Sequence, residues 1–432
     1  MTPELIFLAQ VLTILVLPVA LWRYLRIRQA IPLVCVQILV GIALGPSFFG
    51  RIAPDLYSRF FSPATLPPLS GIASIAVLLF GYITGLHFEP AAVLGRGRSF
   101  MLVAIASVAV PTVAGFLGGL WIAAELPGDI GPGISPTGFA AAIGICIGVT
   151  ALPVLGAILR EMNLLGRRLG DLALGIAAVN DAALWLLLGG LMTSVAGDAP
   201  GNPGLLVSLC GTPVYLAVMV FVVKPLLDRL GPALLLRDGH MSERGLAAVC
   251  AVALGSAMAS QWLGLHYVFG AFVAGTLMPH ELRQLILDRL QLVTVGILMP
   301  FFFMITGLRT SIDLGSSGFL EITLVTSGLA VLGKIGGTTL AARCTGESWA
   351  DAFSLAALLQ PTGLMGLVVL TVLLDRGIIS PIVFSALTLT ALITTLLAMP
   401  LARLGLHWNG RTPSLGIAAP MTGSLNVQTR YE

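Results

Sequence analysis

Hydrophobic residues occur along this chain in long, nearly uncharged blocks that short polar stretches separate. The blocks show neither the one-sided spacing of a surface helix nor the alternation of a half-buried strand. Apolar runs of 18 or more residues are typical of transmembrane helices. The sequence lacks the alternating ten-residue segments of an outer-membrane barrel, and helices are the other way to satisfy backbone polar groups in lipid. The pattern predicts an all-α polytopic membrane protein.

Dividing the blocks at charged or Pro/Gly-rich positions predicts about thirteen transmembrane helices. The first block precedes its arginines, which reverses the charge order of a signal peptide, so we expect a retained helix. We expect a transmembrane domain over residues 1–403 and a short polar cytoplasmic tail over residues 404–432, which is too polar to bury a core. The predicted spans are residues 5–25, 32–49, 69–88, 100–123, 137–159, 171–195, 205–230, 243–263, 265–279, 290–308, 319–342, 352–374 and 379–403.

Composition and the absence of certain motifs argue against a soluble domain, a nucleic-acid-binding protein, an ATPase and a metalloprotein. Of the 432 residues, 57% are hydrophobic and 10% are Asp, Glu, Lys or Arg, whereas roughly a quarter are charged in ordinary soluble domains. The net charge of +3 comes from scattered basic residues and indicates no nucleic-acid-binding stripe. The sequence has no Walker A motif, and its five cysteines lack metal-ligand spacing. We therefore expect no nucleic acid partner, no ATP and no cofactor.

The distribution of Lys and Arg predicts the orientation, because basic residues favour cytoplasmic loops. With the N-terminus outside, eighteen of the 23 basic residues fall in predicted cytoplasmic loops or in the tail. Four fall on the opposite side, and Lys334 lies inside a span. We therefore expect a multi-pass protein of the inner or plasma membrane with a cytoplasmic C-terminus.

Two predicted spans carry an interrupting proline. Pro153 lies in GVTALPVLGAIL of the fifth span, and Pro361 lies in LLQPTGLMGLVVL of the twelfth, between Gln360 and Thr362. A proline removes a helix hydrogen bond, so each span should open near mid-membrane or simply kink. Because the two spans are seven apart, they run in opposite directions. Corresponding broken helices in inverted halves indicate a binding site at the membrane midplane.

The sixth predicted span contains a polar pair, Asn180 and Asp181, roughly 15 Å along the helix from its start. A carboxylate there costs about 3 kcal/mol on insertion scales and usually faces an aqueous cavity or a partner. A proton and a metal ion would compete for the Asp181 carboxylate. Asn180 and Thr150 could add neutral oxygen ligands. Alternatively, Asn180 bonds a neighbouring helix and Thr150 bonds its own preceding turn.

Lys334 is a basic residue deep inside the eleventh predicted span, in GLAVLGKIGGTTL. Two interpretations of this lysine stay open. It could pair with Asp181 when no cation is bound, or it could neutralise the carbonyl ends of the broken helices.

Several segments resemble the second monovalent cation:proton antiporter family. The match extends over nearly all thirteen predicted spans, and it depends on the order and spacing of motifs that are each only moderately specific. These motifs are TALPVL at 150–155 followed by LREMNLLGRRLGDLAL and AAVNDAALWLLL, GIALGPSFFG at 41–50, GLHYVFGAFVAGTLMP at 264–279 and VGILMPFFFMITGLRTSID at 295–313.

The resemblance implies two inverted six-helix repeats joined by a linker helix, with two broken helices that cross. It implies a dimer-forming part at about residues 1–95 and 205–310, and a core part at about 100–200 and 319–403. The core would move as an elevator and carry the Asp181 site between the two faces of the membrane. Members of the family are typically homodimers.

This chain departs from the family pattern in three places. Many relatives have two adjacent aspartates, whereas Asn180 precedes Asp181 here, which resembles members with one exchanging carboxylate. Electroneutral relatives often pair an arginine with a glutamate, whereas the position holds Lys334. In the twelfth span many relatives carry Asn-Thr-Arg-Gly, and this chain carries Gln360, Pro361, Thr362 and Gly363.

Together these features predict a secondary active antiporter rather than an enzyme. It would exchange one Na⁺ or K⁺ for one proton. Asp181 would bind the transported metal ion and the proton in turn. The alternative is a sodium-coupled organic-anion carrier of similar fold, in which Lys334 would bind the substrate. A purely structural subunit would leave Asp181 and Lys334 unexplained, and an intramembrane aspartyl protease would need a second catalytic aspartate.

Overall fold

A computed structural model describes residues 2–24, 31–62, 65–88, 97–195, 204–237, 240–312 and 317–408. This part of the chain is helical apart from short connections and one antiparallel pair of two-residue strands, β1 (Leu236–Arg237) and β2 (His240–Met241). Most of the predicted tail, residues 409–432, lies outside the described residues. The last helix continues to residue 408, past the predicted end at 403.

The helices follow one another through short connections, and π-helical turns at Met219–Val223 and Thr294–Leu298 link two pairs of them. They are α1 (Pro3–Tyr24), α2 (Leu33–Leu44), α3 (Phe49–Ile52), α4 (Pro54–Phe60), α5 (Leu66–His87), α6 (Gly97–Glu125), α7 (Pro136–Gly148), α8 (Leu152–Glu161), α9 (Arg168–Val195), α10 (Gly204–Val218), α11 (Lys224–Leu235), α12 (Glu243–Trp262), α13 (Tyr267–Thr276), α14 (His280–Val293), α15 (Met299–Arg309), α16 (Ser317–Cys344), α17 (Trp349–Leu358), α18 (Gly363–Asp375) and α19 (Pro381–Trp408).

Ten helical stretches of the described part are long and apolar enough to cross a membrane. They match ten of the predicted spans. The other three predicted spans, 137–159, 265–279 and 352–374, correspond to shorter helices: the pair α7 and α8, the single helix α13, and the pair α17 and α18.

Many apolar side chains of the outer helices point away from the bundle. On α1, Leu8 and Leu12 are exposed and lie four residues apart. Phe221 is exposed in the π-helical turn that precedes α11. Residues four apart lie on the same face of a helix, so α1 presents a continuous apolar stripe. A contiguous apolar surface of this kind indicates contact with lipid or with another protein.

Twelve of the helices form two groups. The first contains α6 to α9 and α16 to α19: α6 packs against α7, α9 and α16, while α19 packs against α16, α17 and α18. The second contains α2, α5, α13 and α15, in which α15 packs against α2 and α5 and α13 packs against α5. Both interrupted pairs, α7 with α8 and α17 with α18, belong to the first group.

The packing of α5 against α13 brings the two backbones into direct contact. A Cβ atom added at Gly85 would lie 2.1 Å from the carbonyl oxygen of Phe272. A Cβ atom added at Gly275 would lie 2.1 Å from the carbonyl oxygen of Tyr82. Small residues allow this close approach between membrane helices, where van der Waals packing contributes much of the association energy.

Candidate ion-binding site

The first interruption separates α7 from α8. The helix α7 ends at Gly148 and α8 begins at Leu152, with Pro153 in its first turn. A proline is tolerated in the first turn because the backbone N–H that it lacks would have no partner inside the helix. Residues 149–151 are therefore non-helical, and the groups around them become available to other elements.

The second interruption separates α17 from α18. The helix α17 ends at Leu358 and α18 begins at Gly363, which has a positive φ of 39°. A Cβ atom at Gly363 would also lie 2.8 Å from a methyl carbon of Val154 and 3.0 Å from the Cβ of Ala151. Glycine therefore allows both the backbone turn and the close approach of the two interruptions.

The two interruptions are hydrogen-bonded to each other. The backbone N–H of Ala151 donates to the carbonyl oxygen of Pro361 at 2.8 Å. The Thr150 hydroxyl donates to the carbonyl oxygen of Leu359 at 3.0 Å. Backbone groups that lose their partner within their own helix at one break are thus hydrogen-bonded by the other break. This avoids the free-energy cost of leaving them unpaired in a membrane.

Thr150 joins four elements at this crossing. Its hydroxyl oxygen accepts from Asn180 Nδ2 at 3.1 Å and from Lys334 Nζ at 2.8 Å, while its hydrogen goes to Leu359. A hydroxyl has one donor and two acceptor positions, so all three are used. Thr150 bonds distant residues rather than its own preceding turn.

Both polar atoms of the Asn180 side-chain amide are hydrogen-bonded. Its Nδ2 donates to Thr150, and its Oδ1 accepts from the Ser107 hydroxyl of α6 at 3.1 Å. The amide therefore bonds neighbouring helices, as one of the two interpretations of this residue expected. Its oxygen retains one lone pair beyond the bond from Ser107.

Lys334 belongs to α16, and its side chain contacts the C-terminal end of α7. Its ammonium group donates to the carbonyl oxygens of Gly148 at 2.8 Å and Val149 at 2.6 Å, and to the Thr150 hydroxyl. These three bonds use all the donors of an ammonium group. The lysine neutralises a helix end that carries partial negative charge. Within the described residues, Lys334 forms no ion pair with Asp181.

Asp181 follows Asn180 on α9 and is 1% exposed. Neither of its carboxylate oxygens has a hydrogen-bond partner in the part of the chain that the structure describes. A buried carboxylate without a partner is costly in its charged form. A proton would remove that charge and a bound cation would compensate it, so this arrangement suits a group that carries either.

Gln360 is a second buried side chain at the crossing whose polar atoms lack partners. It is 1% exposed, and both Oε1 and Nε2 are unpaired among the described residues. The next residues are held by α19: the hydroxyls of Thr362 and Thr394 are 3.0 Å apart, and the Gly363 N–H donates to the Thr395 hydroxyl at 3.3 Å.

The structure also brings to the site residues that the sequence did not single out. Ser107, Thr394 and Thr395 lie far along the chain from the residues that they contact. Their sequence signal is weak, because a single hydroxyl residue in an apolar span usually bonds its own preceding turn. The repeated threonines in TLTALITT of α19 are the one pattern that could have indicated a polar face.

The oxygen atoms at the crossing come from a carboxylate, amides, hydroxyls and backbone carbonyls. The described residues contain no group of three or more His, Cys, Asp or Glu residues placed to hold a metal ion. Oxygen ligands with a single carboxylate suit a hard monovalent cation better than a transition metal, which prefers nitrogen or sulfur.

Two ion pairs lie at opposite ends of the bundle. At the start of α9, Arg168 makes a bidentate pair with Glu347, with N–O distances of 2.7 and 2.6 Å. At the other end, Arg309 of α15 pairs with Asp375 of α18 at 3.0 Å. The second pair joins the two helix groups.

Comparison with known proteins shows the family. The transmembrane sodium/hydrogen exchanger family matches residues 11–403 of this chain. Cation/H(+) antiporter 19 of Arabidopsis thaliana is 31% identical over 86% of this chain and 46% of its own length. Na(+)/H(+) antiporter NhaS4 of Synechocystis sp. is 29% identical over 88% of this chain and 91% of its own length. K(+)/H(+) antiporter 1 of Saccharomyces cerevisiae is 30% identical over 86% of this chain.

The chain spans slightly less than half the length of the plant and yeast relatives: 46% of the plant protein and 43% of the yeast protein. Among solved structures, the sodium proton antiporter MjNhaP1 of Methanocaldococcus jannaschii is similar, with a TM-score of 0.60, 15% identity, and coverage of 94% of this chain and 99% of that one. This likeness shows a shared fold. The family consists of multi-pass membrane transporters rather than enzymes. Since its match covers most of the sequence, the chain belongs to the sodium/hydrogen exchanger family.

Proposed function

We propose that this protein is a secondary active antiporter that exchanges a monovalent cation, Na⁺ or K⁺, for protons. The observation that carries the proposal is Asp181, a buried carboxylate at the crossing of two broken helices that has no hydrogen-bond partner among the described residues. Relatives named as Na(+)/H(+) and K(+)/H(+) antiporters support the reaction and leave both ions as candidates.

In this mechanism the Asp181 carboxylate holds either one proton or one cation. When a cation arrives, the proton leaves a carboxylate oxygen, and when a proton arrives, the cation leaves. Asn180 adds no titrating charge beside it. One cation therefore exchanges for one proton, and we propose that transport is electroneutral.

Lys334 fits this mechanism as a fixed positive charge. Its three donors are engaged by Gly148, Val149 and Thr150, so it holds the first break together. The same contacts argue against the alternative of an organic-anion carrier, because binding an anion would require Lys334 to give up bonds at the break.

We also propose the wider arrangement that the resemblance implies: about thirteen membrane helices in two inverted six-helix repeats, in a homodimer of the inner or plasma membrane with its N-terminus outside. The helix group α6–α9 with α16–α19 would be the mobile core, and the group around α5 and α15 would belong to the dimer-forming part. The packing of both breaks within the first group supports motion of the site as a unit.

The test is cation-driven proton movement in proteoliposomes that contain a pH-sensitive dye. Wild-type protein should exchange, and Asp181→Asn should abolish exchange while the protein stays folded. The matched control is Asp228→Asn, because Asp228 is an exposed carboxylate that pairs with Lys224 along one helix. Undiminished exchange by Asp181→Asn would overturn the proposed role of Asp181.

A further inference from the structure

The amide of Gln360 is the feature of the crossing that the proposed mechanism leaves unused. Both of its polar atoms are buried without a partner among the described residues, although native proteins satisfy the great majority of such atoms. A buried, unpaired amide costs free energy unless something else binds it. Its position between two helix halves therefore requires an explanation.

The backbone around Gln360 is fixed on both sides. The carbonyl oxygen of Leu359 accepts from Thr150, and that of Pro361 accepts from the N–H of Ala151. Beyond them, the Thr362 hydroxyl contacts that of Thr394. The side chain thus extends from a short segment that two neighbouring elements, the first break and α19, hold in place, which is how a ligand is pre-organised.

Gln360 and Asp181 lie on segments that Thr150 joins. Thr150 bonds the residue before Gln360 and also bonds Asn180, the residue before Asp181. Gln360 and Asp181 both carry buried oxygens for which the described residues supply no hydrogen-bond partner. The crossing thus contains one carboxyl and one amide side chain whose oxygens accept from no donor in the described part of the chain.

Two other neutral side-chain oxygens at the crossing already accept hydrogen bonds, although the Asn180 oxygen keeps one free lone pair. The Thr150 hydroxyl uses all its positions, and the Asn180 oxygen accepts from Ser107. A cation that leaves water needs several oxygen atoms to replace its hydration shell. Gln360 can supply such an oxygen without breaking a bond that holds the site together.

We propose that the Gln360 side-chain oxygen is a neutral ligand of the transported cation, alongside Asp181, and that its reach sets which cation size is preferred. The inference rests on the proposed antiport and assigns a role that the sequence analysis gave to Asn180 and Thr150. Because the ligand is neutral, it changes cation affinity and selectivity while the number of exchanged protons stays the same.

The experiment compares Gln360→Leu and Gln360→Asn with the wild type in proteoliposomes, using Li⁺, Na⁺, K⁺ and Rb⁺. Leu keeps the approximate size without the oxygen, so the apparent KM for the preferred cation should rise about tenfold, the effect of losing roughly 1.4 kcal/mol. Asn withdraws the oxygen by roughly one carbon–carbon bond, about 1.5 Å, and should shift preference towards K⁺ and Rb⁺. Gln284→Leu, at an exposed glutamine on α14, is the control.

A second readout separates the inference from the proposed function. In detergent, the preferred cation should raise the melting temperature of the wild type, less so for Gln360→Leu and not at all for Asp181→Asn. An unchanged KM, ion order and thermal shift in Gln360→Leu would overturn the inference even if the wild type exchanges. A wild type that shows the Gln360-dependent shift without proton exchange would overturn the antiport and keep the cation site. Absence of both would overturn both.

Discussion

The Lys334 ammonium group lies 2.8 Å from the Thr150 hydroxyl, and this bond ties α16 to the first helix break. The same nitrogen donates to the last carbonyls of α7. Thr150 in turn bonds α9 and the second break. One lysine therefore stabilises a junction of four elements, and its removal should affect both folding and transport.

Replacing Lys334 with Met should destabilise the protein, because it leaves three buried acceptors without their charged donor. Each hydrogen bond to a charged group contributes about 1.5–3 kcal/mol. Thermal unfolding in detergent should show a clearly lower melting temperature for Lys334→Met, and a smaller loss for Lys334→Arg, which keeps the charge with a different donor geometry. Equal melting temperatures for Lys334→Met and the wild type would contradict this role.

Introducing a second carboxylate with Asn180→Asp should change the charge balance of transport. If the new acid also loads a proton, two protons would exchange for one cation, and net charge would cross the membrane. Currents on a solid-supported membrane should be absent for the wild type and present for Asn180→Asp. Ser107→Ala is the control, because it removes a hydrogen-bond partner of Asn180 without adding charge.

Two results would count against this prediction. Cation-driven currents in the wild type would exclude one-to-one exchange. Sustained flux without current in Asn180→Asp would show that residue 180 does not set the stoichiometry.

Glycines in one helix should respond in opposite ways to the same substitution. Gly85→Ala places a Cβ atom against the backbone of α13, and overpacking of this kind costs about 1–3 kcal/mol. Gly71, also in α5, is exposed, and no atom of the described residues lies within 4 Å of an added Cβ. Gly71→Ala should therefore be neutral or slightly stabilising. Melting temperatures of the two variants measure the difference, and equal effects would contradict the close packing.

The general fold could be predicted because its cause is visible in the sequence. Apolar blocks of membrane length require helices, and the ten long helical stretches match ten predicted spans. The prolines at 153 and 361 also marked where two segments are interrupted, because a proline disturbs a helix wherever it lies. Both features depend on residues close together in the chain.

The contacts within the site could not be predicted in the same way. The sequence left two partners open for Lys334, and it could not show that Thr150, which is 184 residues away, lies beside its ammonium group. Nor could it show that the polar atoms of Gln360 lack partners among the described residues, whereas both polar atoms of the Asn180 side chain are hydrogen-bonded. Such differences arise from how helices distant in sequence cross, which local patterns do not determine.

The ion pair between Arg168 and Glu347 should make stability depend on acidic pH. The guanidinium of Arg168, bonded to both carboxylate oxygens, lowers the pKa of Glu347 below its ordinary value. A lowered pKa in the folded state stabilises the protein above the unfolded pKa, and this contribution is lost as pH falls through the folded pKa. Glu347→Gln should therefore lower the melting temperature near neutral pH. At pH values below the folded-state pKa of Glu347, the substitution should leave the melting temperature unchanged.

Melting curves from about pH 7 to about pH 3 test this dependence. The control is Asp228→Asn, which removes an exposed pair within one helix and should change stability little. A constant difference between Glu347→Gln and the wild type across this range would show that the pair does not stabilise the folded state through its charge.

The pair of Arg309 and Asp375 should influence which face of the membrane the site opens to. It joins α15 to α18, which belong to the two groups that move relative to each other in the proposed elevator. A motion that separates these helices breaks the pair, so the pair favours one state. Because the side chains are 38% and 56% exposed, the pair contributes about 1 kcal/mol or less, up to about a fivefold change in the equilibrium.

Charge reversal separates attraction between Arg309 and Asp375 from other effects at each position. Arg309→Asp alone should repel Asp375 and shift the apparent KM for the cation by up to about fivefold. Combining it with Asp375→Arg should restore the wild-type value, because the attraction returns with the charges exchanged. If the double variant keeps the KM of the single variant, attraction between the two charges does not set the balance. If all three proteins share one KM, the pair has no influence on access to the site.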